Sequence, residues 1–278
     1  MKLVSWRTIQ WAVTIVIVSL PQVNATAQQD SGLLAQLYHY SIGDGPVTVI
    51  VIHGGPGLRH NYLRPEWDRL AAVARVVYYD QRGCGKSAAL GPGTWEQDVA
   101  DLDSLVVNYR RQGPVVLAGS SWGAWLALLH GELHPDETAA LILSGVAPWP
   151  TGYKLSLQQL SASSPDLDSA TAAADPAFPA GIALRFGATC GRARAVGFAS
   201  LDGGPPLSQL RRITEPVLVV DGDRPTAQGS GSRELSTVLT AETYLLIPGT
   251  GHDPWFDEPD AFFLAATAFL RKIKGERR

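Results

Sequence analysis

The chain has almost no cysteine: Cys84 and Cys190 are the only two in 278 residues. Two thiols cannot build the disulfide framework of a small secreted domain, so the fold must rest on its core. Sequence gives no ground for bonding the two, because their separation in space is unknown. No basic block stands out. Lys plus Arg number 23 against 26 Asp plus Glu, which argues against nucleic acid as a partner. No glycine loop carries the G-x-x-x-x-G-K-[ST] pattern that cradles phosphates. H-E-x-x-H is missing too. His130 and His134 stand four apart with Glu132 between them, but Gly131 follows His130, so no metal is expected there. His39 and His60 have no evident partner. No apolar stretch approaches the ~20 residues needed to span a membrane.

What is present suits one large α/β domain: the length allows a sizeable core, and 45% of residues are apolar. The first residues read as an export signal rather than as fold. Lys2 and Arg7 make a positive start, Trp11 to Leu20 is mostly apolar, and Ala25-Thr26-Ala27 is an A-x-A cleavage site. A signal peptide over 1–27 is expected. The mature chain would begin at Gln28, be secreted or periplasmic, and keep no stable membrane span.

Beyond it, near-continuous apolar runs alternate with amphipathic stretches. Val47 to His53, Val76 to Tyr79, Val115 to Ala118, Ala140 to Leu143, Val217 to Val220 and Tyr244 to Ile247 read as strands. Pro65 to Ala74, Trp95 to Arg111 and Ala124 to Leu133 read as helices, and Phe262, Ala266, Phe269, Leu270 and Ile273 share one face of a last helix. This alternation indicates a mostly parallel sheet with helices on both faces. Leu37 to Ile42, a Gly43-Asp44-Gly45 turn and Val47 onward suggest a hairpin. The stretch 147–212 breaks the pattern, being rich in Ala, Ser, Pro and Gly. A loop that long is uncommon, so a short helical cap over the strand ends is expected there. The core is then 28–146 and 213–278.

Gly119-Ser120-Ser121-Trp122-Gly123 sits between a predicted strand and a predicted helix, the context in which G-x-S-x-G becomes a nucleophile elbow. Ser121 needs a base, since a serine hydroxyl is a weak nucleophile. His252, in Pro248-Gly249-Thr250-Gly251-His252, follows a strand and precedes the last helix, which sets it on the same sheet edge. An oxyanion hole needs two backbone N–H groups. Trp122, after the nucleophile, and Gly55, in the loop His53-Gly54-Gly55-Pro56-Gly57, are the candidates. The orienting acid should follow the strand Pro216 to Val220, whose end reads Asp221-Gly222-Asp223-Arg224-Pro225. Asp223 is favoured, because it lies beyond the turn; Asp221 is one alternative, and an acid that is neither of them is the other. Trp149 and Trp255 are candidates for an apolar pocket wall, or equally for core packing.

HGGPG at 53–57, DQRGCGKS at 80–87, GSSWG at 119–123 and GTGH at 249–252 resemble the α/β-hydrolase fold, and more narrowly its prolyl aminopeptidase (proline iminopeptidase) branch. The resemblance covers about 47–145 and 215–274. It implies a Ser121–His252–Asp triad, an oxyanion hole from Gly55 and Trp122, no cofactor, and structural roles for Asp80 and Arg82. The chain departs from the branch in three ways. The usual acid position is Pro225. There is no Glu between Glu137 and Glu215, where the branch carries glutamates that grip a substrate's free amino terminus; only Asp166, Asp168, Asp175 and Asp202 stand there. The export signal is the third. The leading expectation is a serine hydrolase that cleaves a carboxylic ester or lactone through an acyl-enzyme. The alternatives are an N-terminal aminopeptidase acting on short peptides, and a binding protein on a weakened hydrolase scaffold.

Overall fold

Five of the strands are consecutive parallel neighbours because each is apolar on both sides and must be covered on both. In the computed structural model, which describes residues 37–146, 190–201, 207–225, 231–239 and 242–275, they join a seven-stranded sheet. The strands are β1 (His39–Ile42), β2 (Thr48–Ile52), β3 (Arg75–Tyr79), β4 (Val115–Ser120), β5 (Ala140–Ser144), β6 (Val217–Gly222) and β7 (Glu242–Ile247). Their order is β1-β3-β2-β4-β5-β6-β7, and every pairing is parallel except β1 with β3.

The expected hairpin does not form. β1 pairs with β3, His39 opposite Tyr79, and β3 lies between β1 and β2. β2 already has β3 and β4 as neighbours, so the edge left open was that of β3. Gly43 and Gly45 let the connection run tight against Ala71–Ala74, where a Cβ on Gly43 would come within 2.6 Å of the Ala74 carbonyl.

Alternate strand residues feed two cores. Ile50, Ile52, Leu117 and Leu141 pack with α1 (Trp95–Arg110) and α2 (Trp122–Leu133). Val49, Val51, Val116 and Ile142 pack on the other face with Trp67 and with Phe262, Ala266, Phe269, Leu270 and Ile273. The last five belong to the final helix, α6 (Pro259–Gly275), on the face its periodicity marked. Each such Val, Leu, Ile or Phe side chain contributes ~1.5–3 kcal/mol by leaving water. The stretch expected as a helix after Pro65 is a 3-10 segment, Glu66–Ala72. α2 is buried from Trp122 to Glu132, as an apolar helix must be when it passes under a sheet.

Of the expected insertion, 190–201 and 207–212 are described, as α3 (Gly191–Ser200) and a 3-10 turn, Leu207–Arg212. Trp149, Asp166, Asp168, Asp175 and Asp202, like the expected signal segment 1–27, lie outside the described residues. Two short helices, α4 (Ser232–Leu235) and α5 (Pro254–Asp257), complete the α-helices among the described residues. Among the described residues no helix is long and apolar enough to cross a membrane.

Candidate active site

The loops after β2, β4, β5, β6 and β7 all leave the same edge, the C-terminal one, where open α/β sheets carry their chemistry. β4 is the middle strand, and Ser121 is the first residue beyond it. Its backbone sits at φ 55 and ψ −118, a region that a non-glycine residue rarely occupies. Such strain costs ~1–3 kcal/mol and persists only where the surroundings force it. Here they do. The Ser121 N–H donates to the Ser144 carbonyl (2.9 Å), and the Ser121 carbonyl accepts from Ala124 N–H (3.0 Å). A Cβ on Gly119 would lie 2.2 Å from the Gly123 carbonyl oxygen, and one on Gly123 would lie 2.1 Å from that of Ile52. Both elbow glycines are thus demanded by the crossing of strand and helix. Ser121 is left half-buried at the N-terminus of α2. Trp122 is the first helical residue, one of those whose N–H has no partner within the helix.

The glycine loop passes over Ser121: a Cβ on Gly54 would fall 3.2 Å from Ser121 Cβ. The Gly54 N–H is engaged with the Tyr62 hydroxyl at 2.8 Å. Gly55 follows at φ 128, accessible to glycine alone, so the backbone turns directly beside Ser121. The wholly buried His53 fixes this loop. Burial, partly offset by its bond to the Gly54 carbonyl, lowers its pKa to about 4, so the ring is neutral. Nδ1–H then donates to the Gly54 oxygen (2.9 Å), and Nε2 accepts from Gln81 N–H (3.0 Å). Gln81 Nε2 returns a bond to the His53 carbonyl (2.7 Å).

Asp80 and Arg82 support this loop from outside. Burial would raise the Asp80 pKa, but its bond to His60, the charge of that ring and the Lys86 N–H outweigh it and hold the pKa at about 2. Asp80 Oδ1 meets His60 Nδ1 at 2.6 Å, and Oδ2 accepts from Lys86 N–H at 2.9 Å. Arg82 makes a two-pronged pair with Asp101 at 2.8 and 2.7 Å.

His252 is buried in the loop after β7. Its ring lies against Gly145, just beyond β5: a Cβ there would be 2.0 Å from the His252 carbonyl oxygen and 3.4 Å from Nδ1. Gly145 N–H bonds to the Val220 carbonyl, which sets the ring beside the end of β6. Gly222, also on β6, lets that strand abut the same loop, since a Cβ would fall 2.2 Å from the Thr250 carbonyl oxygen.

Three carboxylates flank this point, in different surroundings. Asp223 is exposed, and its Oδ1 accepts from Gly249 N–H at 2.7 Å. It does reach back to the His252 loop, but to that loop's backbone. Asp221 is buried at the end of β6, with Oδ1 accepting from Gly222 N–H at 3.0 Å. Pro225 is exposed and offers no side-chain acceptor.

Asp253 was not singled out from the sequence. Its carboxyl is buried beneath the elbow, where Oδ1 accepts from Trp255 Nε1 (2.9 Å) and Ser120 Oγ (3.2 Å). Burial raises its pKa, and the charge of His252 works against that rise. Ser120 also bonds to Tyr62, which holds Gly54. One buried network therefore joins the glycine loop, the residue before Ser121 and the residue after His252. Its only sequence signal is a lone acid between His252 and Pro254-Trp255. Trp255 belongs to this network. It is wholly buried against Tyr62, Trp67 and Phe256, and so lies in the core rather than on an open pocket wall.

The described part of the insertion covers the site. In α3, Arg194 packs on Gly57, Gly197 packs on Pro56, and the Phe198 ring meets Trp122 edge-on at 6.5 Å. Cys190, ahead of α3, donates its N–H to the Gly57 carbonyl at 2.8 Å. Its thiol reaches that of Cys84, whose pKa is pushed up by burial and by this hydrogen bond. Both cysteines are free, and their proximity is not legible from residues 106 apart in the chain.

Residues 49–266 match the model of the alpha/beta hydrolase family. A proline iminopeptidase of Levilactobacillus brevis is 30% identical over 279 residues, covering 84% of this chain and 93% of its own. That of Neisseria gonorrhoeae is 35% identical over 122 residues, 40% of this chain and 36% of its own. Among solved structures, an esterase from Thermogutta terrifontis superposes with a TM-score of 0.70 at 21% identity, covering 85% of this chain and 93% of its own. Proline iminopeptidase from Mycobacterium smegmatis gives a TM-score of 0.61 at 20% identity, covering 86% and 96%. At such identities the two structures speak for the fold, while the family model and the Levilactobacillus relative speak for descent. With the elbow, the glycine loop and the histidine on one sheet edge, the chain belongs to the alpha/beta hydrolase family and is a hydrolase resembling its proline iminopeptidase branch.

Proposed function

We propose that the chain cleaves a carboxylic ester or lactone through an acyl-enzyme on Ser121. Ser121 Oγ attacks the acyl carbon while His252 takes its proton. The N–H groups of Gly55 and Trp122 hold the oxyanion, and His252 returns the proton to the leaving alkoxide. Water, deprotonated by His252, then attacks the acyl-enzyme, releases the carboxylic acid and restores Ser121. No step requires a metal or an organic cofactor. The acid that orients His252 is Asp221, the buried carboxylate at the end of β6, the strand whose Val220 carbonyl accepts from Gly145, against which the imidazole lies. Asp223, favoured by sequence, anchors the histidine loop through Gly249.

One observation carries the choice of ester over peptide. An aminopeptidase must hold a substrate ammonium next to its nucleophile, and burying that charge unpaired is costly. α3, which packs on the glycine loop, carries Arg192 and Arg194 and no carboxylate. Residues 138–214 contain no Glu at all. Export to the periplasm or medium, from the charge and cleavage pattern of residues 1–27, belongs to the same proposal.

Purified protein assayed side by side on short acyl p-nitrophenyl esters and on proline p-nitroanilide tests this reading. Ester kcat/KM should exceed amide kcat/KM by at least ~10²-fold, a margin worth ~2.7 kcal/mol of transition-state stabilisation. The reverse ratio would establish the aminopeptidase reading instead. Mass spectrometry of exported protein should find Gln28 at the N-terminus, and an intact segment 1–27 would remove the export proposal.

A further inference from the structure

We infer that Asp103, His130 and His134 form a binding site for a divalent transition-metal cation of the zinc class, clasping α1 to α2 at the end of α2 remote from Ser121. The two histidines alone carry no such implication, as they do not match a metalloprotease pattern. The third ligand comes from another helix. Asp103 of α1 directs Oδ1 between the rings, 3.3 Å from His130 Nε2 and 3.6 Å from His134 Nδ1. One ligand atom from each residue lies within 4.8 Å of the other two. Around a zinc ion with bonds of about 2.0–2.1 Å, tetrahedral ligand atoms stand about 3.4 Å apart. The two distances to Asp103 already match that spacing.

The contacts are also loose for a plain ion pair. The 3.3 Å contact is long for a charge-assisted hydrogen bond, usually about 2.7–2.9 Å, and 3.6 Å is beyond one. One carboxylate oxygen is thus shared between two imidazoles and held closely by neither. The rings stack at 4.8 Å between centroids, which turns both toward the same point. His130 is wholly buried and its Nδ1 has no hydrogen-bond partner, so its polar function is concentrated at Nε2.

Two imidazoles and one carboxylate favour zinc, nickel, copper or cobalt over magnesium and calcium, which take oxygen ligands. Three protein ligands leave a coordination position for water. His130 is nine residues along α2 from Ser121, about 13 Å at 1.5 Å per residue, so the ion does not touch the reacting atoms. Its effect is on stability, because a ligand that binds only the folded chain stabilises it by mass action.

The test uses the full protein, freed of metal with EDTA, titrated separately with zinc, nickel, cobalt and calcium chlorides. Calorimetry and thermal unfolding are read together. Wild type should bind one equivalent of zinc, with a Tm rise of about 3 °C or more, and should ignore calcium. His134→Ala and Asp103→Asn, both at partly exposed side chains, should weaken zinc binding at least ~10-fold and abolish the Tm rise, with unchanged circular dichroism and ester turnover. Cobalt should give a visible absorption band that both variants lose. No zinc binding by wild type would overturn the inference, and equal binding by the variants would place the cation elsewhere.

Discussion

The nucleophile half of the sheet edge and its acid half are built on different principles. Around Ser121 the backbone itself sets the geometry. All of β4 is buried, α2 beneath it is buried for eleven residues, and both elbow glycines sit where a Cβ would collide with main-chain oxygens. Around the acid, the edge strand β7 leaves Tyr244 47% and Leu246 44% exposed, and the choice falls among carboxylates two residues apart. A site dictated by backbone crossings can tolerate few residues. A site dictated by one side chain on an edge loop can move by a residue and still function.

That difference explains what the sequence made legible. The elbow turn at Ser121, the glycine loop and the place of His252 on the same sheet edge were legible because glycine at a fixed spacing and an apolar strand before it are demanded by the backbone crossing. The same holds for the parallel core and for the buried face of α6. The pairing of β1 was not visible, since a Gly-Asp-Gly turn reads as a hairpin until the neighbours of β2 are counted. Asp103 with its two histidines, the Cys84–Cys190 contact and the network of Asp253, Ser120 and Tyr62 all unite residues remote in sequence. Chain direction places Asp223 beyond the turn, where it is exposed and its Oδ1 is engaged with Gly249; its surroundings, unlike its position, were not legible.

The largest effect should come from the nucleophile half. Ser121→Ala and His252→Ala should each lower kcat/KM at least ~10³-fold with unchanged circular dichroism. Near-normal turnover in either would dissolve the contrast. Gly123→Ala should follow, because its Cβ would enter the Ile52 carbonyl at 2.1 Å. A loss of ~3 kcal/mol or more, or no soluble protein, is expected in urea unfolding.

The acid half gives a smaller and more discriminating signal. Asp221→Asn should lower kcat ~10²-fold, while Asp223→Asn should stay within ~10-fold and act by loosening the histidine loop. Equal large losses would mean that the acid half is as tightly dictated as the elbow. The reverse order would give the role to Asp223.

The smallest effect concerns the glycine loop and pH. His53 has a folded pKa of about 4 against an ordinary 6.5. Above pH 6.5 it is neutral in both states. Between 6.5 and 4 the unfolded chain takes up a proton that the folded chain refuses, so stability falls as pH falls through that window. The slope from this residue is at most about 1.4 kcal/mol per pH unit, and it ends below pH 4. Urea midpoints from pH 8 to 4 should show it, and His53→Gln should be less stable at pH 8 yet less sensitive to acid.

The central claim is that a strained, glycine-flanked Ser121 is the nucleophile activated by His252. Reaction of the protein with a fluorophosphonate, read by peptide mass spectrometry, tests it most directly. One adduct per chain is predicted, on the peptide holding Gly119 to Gly123, absent from Ser121→Ala and formed at least ~10²-fold more slowly in His252→Ala. An adduct on another residue, or an unmodified Ser121 in folded wild-type protein, would contradict it.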